Sequence, residues 1–188
     1  DQTWSVSGAP ALCVMFARLG AFGGPFDLVV SGINPGANVG RAVYHSGTVG
    51  AALTARNGKL SGVAVSQAVT GYGVDGQAWD DAVEGMSFAA SASVAQAYVQ
   101  ALVADMPTEP VVVNINVPDL TLANIKGWRH TTVGLLPPRT VTEATLVPVE
   151  DDEGAFRVVM DWGEKINVLP EETDGGAVEA GYVSIANL

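Results

Sequence analysis

Cysteine is all but missing: Cys13 stands alone, so no internal disulfide can form. It lies in the apolar run from Ala11 to Phe16, where a buried, inert thiol is the expected state. Basic residues are also scarce. Nine Lys and Arg face twenty Asp and Glu, a formal net charge of −11. That balance argues against a nucleic-acid polymer or an anionic membrane surface as partner. A small phosphorylated ligand stays open, because local N–H groups and a cation meet it rather than the field of the whole protein. No apolar run is long enough to span a bilayer. The opening Asp1-Gln2-Thr3-Trp4 has neither the basic stretch nor the apolar core of a leader, so the cytoplasm is the expected location. No strand is followed by a Gly-x-Gly-x-x-Gly fingerprint with an acidic residue about 20 positions on, which argues against a dinucleotide-binding domain.

What is present is a mostly apolar chain of 188 residues, 48% hydrophobic, enough for one sizeable core. Its 22 glycines follow no period, so a collagen-like reading fails. Pro10 opens a short helix that ends at Arg18, before Gly20. Phe26 to Ser31 is a compact apolar run expected to be a buried strand. A helix is expected from an N-cap near Ser46 to Asn57-Gly58, followed by a strand over Gly62 to Ser66. Trp79, Val83, Met86, Ala90, Val94 and Tyr98 recur at helical spacing, which predicts a long helix from Trp79 to Val103. Val111 to Asn116 reads as a further buried strand.

Alternating strands and helices predict an α/β fold: a Rossmann-like, three-layer domain around a mostly parallel sheet. Residues 1–188 read as a single domain, with core elements over 1–118 and a different character over 119–188. There, Ala144 to Val147 and Phe156 to Met160 flank a turn and predict a β-hairpin arm. Gly181 to Ile185 reads as a last strand returning to the sheet.

In open parallel sheets, ligands bind beyond the carboxyl ends of the strands. The run after Ser31 is Gly32-Ile33-Asn34-Pro35-Gly36-Ala37-Asn38-Val39-Gly40. Its glycines let backbone N–H groups come close to a ligand. Asn34 and Asn38 can each offer a carbonyl oxygen to a hard cation or an NH₂ to a phosphate. Ser46-Gly47-Thr48 then places hydroxyls and unbonded N–H groups at a helix N-terminus, which favours an anion. Singly, each of these residues is ordinary in a turn or a cap. Together they exceed the roughly two to six residues that a plain strand-to-helix connection needs. The loop from Ser31 to Val49 is therefore the candidate site, with little apolar packing of its own.

The block from Ser31 to Gly40, followed by Ser46-Gly47-Thr48-Val49-Gly50-Ala51-Ala52, resembles the signature of the survival protein SurE family. Gly8 to Val14, Asn114 to Pro118, and Thr173-Asp174 with Gly181 to Ile185 resemble further stretches of that family in the same order. The resemblance implies a metal-dependent phosphomonoesterase acting on nucleoside 5′- or 3′-monophosphates. It makes Asn34 the amide-oxygen ligand of a Mg²⁺ or Mn²⁺ ion. It lines the phosphate with Asn38, Ser46, Gly47 and Thr48. The family's catalytic Asp pair and a Ser ligand lie ahead of the matched region, so no catalytic residue is assigned here and a preceding βαβ unit is expected. The resemblance also implies a homodimer or homotetramer built through the C-terminal arm. Arg41-Ala42 replaces two family acids, His45 a usual Tyr, Leu12 an Asp and Ala9 a Thr. Arg41 reads as a surface charge and His45 as a polar turn residue; His130 receives no role. The loop substitutions leave an alternative open: a catalytically silent, oligomeric relative that binds nucleotides or phosphate.

Overall fold

The computed structural model describes residues 2–69, 83–150, 152–163 and 165–188. Helix α1 (Pro10–Arg18) starts on its proline, as expected, and is followed by β1 (Leu28–Pro35). A 3₁₀ turn (Gly40–His45) leads into α2 (Gly47–Asn57), then β2 (Ser61–Gln67). Helix α3 (Ala89–Ala104) and strand β3 (Val112–Val117) follow. The C-terminal part carries β4 (Trp128–His130), the hairpin β5 (Val141–Pro148) and β6 (Phe156–Trp162), α4 (Asp174–Glu179) and β7 (Val183–Asn187).

Five strands make one sheet in the order β1-β2-β3-β7-β4. β1, β2 and β3 are parallel neighbours, β7 returns antiparallel to β3, and β4 runs parallel to β7. The α/β expectation therefore holds, with a mostly parallel sheet and a separate two-stranded hairpin.

The layering follows from alternation along β2 and β3. Val63, Val65, Val113, Ile115 and Val117 pack on one face, where Val94, Tyr98 and Leu102 of α3 cover them. The opposite face carries small or polar residues. Ala64 and Val112 there meet Val49 and Ala52 of the alanine-rich α2. A Cβ on Gly62 would collide with the Ala52 backbone, so this strand and helix approach as closely as glycine permits. Ser66, Asn114 and Asn116 continue this second face, all fully buried. Side chains two apart point the same way, so these three polar residues emerge together near the carboxyl ends of the strands.

Four expectations need correcting. β1 continues through Pro35 rather than ending at Ser31, because Asn34 and Pro35 pair with Ser66 and Gln67 after an irregularity in the register. The long helix is interrupted. Trp79 lies outside the described residues, Val83 and Glu84 are helical, and α3 begins only at Ala89, after a break over residues 85–88 that includes Gly85. Cys13 is exposed, because α1 buries only Val14. The loop after β1 does have apolar packing: Val39 and Val43 are both buried.

Candidate functional site

Each predicted site residue has a definite place. Asn34 sits at the carboxyl end of β1, half-buried. Its amide nitrogen donates to the carbonyls of Pro35 (3.1 Å) and Gly36 (2.7 Å). Both amide hydrogens therefore point into the loop, and Oδ1 remains as an acceptor for something else.

Asn38 anchors the loop to the sheet. Its backbone N–H donates to Oδ1 of Asn116 (2.8 Å), and its carbonyl accepts from Asn114 (2.8 Å) and Asn116 (3.2 Å). Its own amide nitrogen donates to Ser66 Oγ (2.7 Å). Buried bonds of this kind contribute on the order of 1 kcal/mol each, and more is lost when one partner is removed. Two residues on, Gly40 N–H donates to the fully buried carboxylate of Asp174 (3.0 Å). The other oxygen of Asp174 accepts from Gly134 (2.9 Å) and Gly175 (2.8 Å). One carboxylate thus ties the loop to the start of α4. Gly40 itself has φ +55, and a Cβ there would lie 2.7 Å from the Leu136 carbonyl oxygen, so no other residue fits.

Beyond the 3₁₀ turn, Ser46 caps α2, its hydroxyl accepting from Val49 N–H (3.1 Å). Gly50 N–H reaches the Ser46 carbonyl (2.9 Å). Among the described residues, the N–H groups of Gly47 and Thr48 have no acceptor. They face outward at the positive end of α2, where an anion is favoured. Arg41 and His45 are exposed on the 3₁₀ turn. His130 lies on β4, edge-on to Trp128.

Asn34, Asn38 and the Ser46–Thr48 cap thus belong to one rigid strand–loop–helix unit, but no hydrogen bond joins Asn34 to the cap among the described residues. The sequence reading missed the anchors Ser66, Asn114, Asn116 and Asp174. The available signal was polarity at alternate positions of a buried strand, Asn114-Ile115-Asn116.

Two observations bear on a metal. Asn34 Oδ1 is suited to a hard cation, but it is one neutral donor. Among the described residues no group of three or more His, Cys, Asp and Glu could hold a metal ion. Mg²⁺ wants near-octahedral oxygens with a carboxylate or two. The described residues alone therefore do not make a metal site.

On the sheet side of the loop, Gly36, Ala37, Val39 and Ala42 form one wall of a cleft of about 480 Å³. Asp119, Arg139 and Glu179 bring charge to a lining that is otherwise mainly apolar. Burial raises the Glu179 carboxyl pKa above its ordinary range.

The family model described as "Survival protein SurE" matches residues 1–137. The chain belongs to the SurE family. A 5′-nucleotidase SurE from Haemophilus ducreyi is 38% identical over 183 residues, covering 96% of this chain and 67% of that protein. A 5′/3′-nucleotidase SurE from Salmonella arizonae is 36% identical over 189 residues, covering 96% and 64%. The crystal structure of the SurE protein from Aquifex aeolicus superposes with a TM-score of 0.67 at 29% identity, over 97% of this chain and 67% of that one. The chain thus spans about two thirds of the length of the SurE relatives it matches. Among the described residues, no helix is long and apolar enough to cross a membrane.

Proposed function

We propose that this chain carries the phosphate-holding part of a metal-dependent phosphomonoesterase that hydrolyses nucleoside 5′- or 3′-monophosphates. The observation that carries this reading is the outward N–H pair of Gly47 and Thr48, set at the end of a loop that Asn114, Asn116, Ser66 and Asp174 hold in one shape. The nucleotidase names of the SurE relatives support it.

The phosphoryl group sits against the α2 cap. Charge on its equatorial oxygens is met there by two backbone donors and the Thr48 hydroxyl, which are already in position before the reaction. Asn38 and Ser46 act from the same unit, Asn38 by fixing the loop and Ser46 by fixing the cap. A bound Mg²⁺ or Mn²⁺ ion would polarise the phosphoryl oxygens and acidify a water. Asn34 would offer that ion one amide-oxygen ligand, and the donor set of the described residues is insufficient by itself. Turnover by these 188 residues alone is therefore expected to be weak or absent. The site is cytoplasmic in this reading.

The hairpin supports an oligomer. Leu146, Phe156, Val158 and Met160 are each more than half exposed, which is unusual for large apolar residues clustered on two strands. A second copy covering them gives a homodimer or homotetramer.

The test is phosphate release from a panel of nucleoside monophosphates, with Mg²⁺ or Mn²⁺ and then EDTA, on a chain extended by its natural preceding residues. Metal-dependent release that collapses in Asn34→Ala supports the proposal; metal-independent release, or release indifferent to Asn34→Ala, sinks it. A second reading, a silent phosphate- or nucleotide-binding relative, draws on Arg41-Ala42, which stand in the loop where the family carries two acids. Binding without release from the extended chain favours it.

A further inference from the structure

Of the asparagines in the chain, Asn57 alone is followed by glycine. The others precede proline, which has no N–H, or the bulkier valine, isoleucine and leucine. Glycine leaves its nitrogen uncrowded and its backbone free to turn. In an unfolded chain the Gly58 nitrogen, having lost its proton, can attack Cγ of Asn57. A C–N bond forms, the side-chain nitrogen leaves as ammonia, and a five-membered succinimide results. Water then opens the ring at one carbonyl to give aspartate, or at the other to give isoaspartate.

The fold closes that route. Asn57 is exposed at the last position of α2. The Gly58 N–H donates back to the carbonyls of Thr54 (3.2 Å) and Ala55 (2.8 Å), so the proton that must leave is held in two bonds. Lys59 N–H reaches the Arg56 carbonyl (2.9 Å) and Leu60 N–H that of Ala55 (3.0 Å), which completes a Schellman cap. The side chain of Arg18, the last residue of α1, lies against Gly58: a Cβ on that glycine would overlap Arg18 Nε and Cζ. Val14 of α1 packs with Ala51 and Ala55 of α2, which keeps the two helices together and Arg18 in place. A cation at this end of α2 also suits the helix dipole. The cap has a weak point. Lys59 occupies the left-handed region at φ 65, where a side chain is strained and glycine is not.

We propose that Asn57 is a latent site of spontaneous deamidation, locked in the folded chain by the Gly58 cap and by the Arg18 side chain against it. Opening of the last turn of α2 frees the Gly58 nitrogen and sets the rate. Conversion weakens the helix. The new carboxylate stands at the negative end of α2. The isoaspartyl linkage adds a backbone carbon ahead of Gly58, which puts the cap bonds out of register. The damage enters α2 from the end opposite its phosphate-holding N–H groups, and it does so whether or not the nucleotidase reading holds.

The test incubates the whole chain at mildly alkaline pH, folded and in concentrated guanidinium chloride, and follows Asn57 by peptide mass mapping. Deamidation is expected to be about tenfold slower, or more, in the folded chain. Arg18→Ala is expected to bring the two rates closer by about threefold, and Lys59→Gly, which relieves the strained position, to move them further apart. Circular dichroism first checks that each variant is folded, and Lys59→Gly serves alone should Arg18→Ala fail to fold. Equal rates in the folded and denatured chain, no conversion of Asn57 in the denatured chain, or a ratio of rates that the folded variants leave unmoved each overturn the proposal.

Discussion

Replacing Asp174 with Asn tests whether one carboxylate fixes the loop. The two side chains have the same shape, but Asn has one accepting oxygen where Asp has two. Oδ1 of Asp174 serves two N–H groups, of Gly134 and Gly175, and Oδ2 serves Gly40 alone. The less costly orientation of Asp174→Asn keeps the oxygen on the pair and turns NH₂ toward Gly40, donor against donor. A buried N–H left without a partner costs about 1–3 kcal/mol. The two surviving bonds also change from charge-assisted to neutral, a further loss on the order of 1 kcal/mol, and relief from burying a charge offsets part of the sum. The net expectation is a loss of about 1–3 kcal/mol. Urea unfolding with a slope of roughly 2 kcal/mol/M then shows the midpoint falling by about 0.5–1.5 M. Hydrogen exchange locates the loss: Gly40 should exchange much faster, while Gly134 and Gly175 change less. An unchanged slope with a midpoint shift under about 0.3 M refutes the clamp, as does a Gly40 amide that exchanges as before.

Gly62→Ala should destabilise by about 1–3 kcal/mol, since its methyl has only the Ala52 backbone to displace; calorimetry showing an unchanged melting temperature rules this out. Glu179 favours its protonated form in the folded protein, so its contribution is present at low pH and is lost as pH rises through the ordinary glutamate range to the raised value. Glu179→Gln should therefore gain stability relative to the parent as pH rises from about 4 to 7, where glutamate titrates. A parallel pair of stability–pH curves contradicts this. Removing residues 144–160 should shift the chain to a smaller species on size-exclusion chromatography; an unchanged elution size relative to mass counts against the hairpin as the oligomer contact.

The sequence pattern gave away the sheet because each buried strand is a short apolar run, and Pro10 and Ser46 mark their helix starts by chemistry that acts locally. Where long-range contacts decide, the reading failed. β1 runs four residues further than its apolar run because Asn34 and Pro35 find partners on β2. Cys13 looks buried from its apolar neighbours, but which face of α1 is covered depends on what packs against it. The candidate loop itself was legible, since its length and glycines are visible in one dimension. Its anchors were not. Asn116 lies 78 residues from Asn38 and Asp174 lies 134 from Gly40, and nothing local announces those pairings.

The tie between Asn38 and the centre of the sheet has a further consequence. β3 is fully buried, flanked by β2 and β7, and belongs to the part of the molecule that opens last. The loop is bolted to that strand by side chains rather than draped over it, so it has no inexpensive partial opening of its own. On heating or in denaturant, the site should keep its shape until the whole sheet gives way. Loss of ligand binding and loss of fold should then be a single cooperative event.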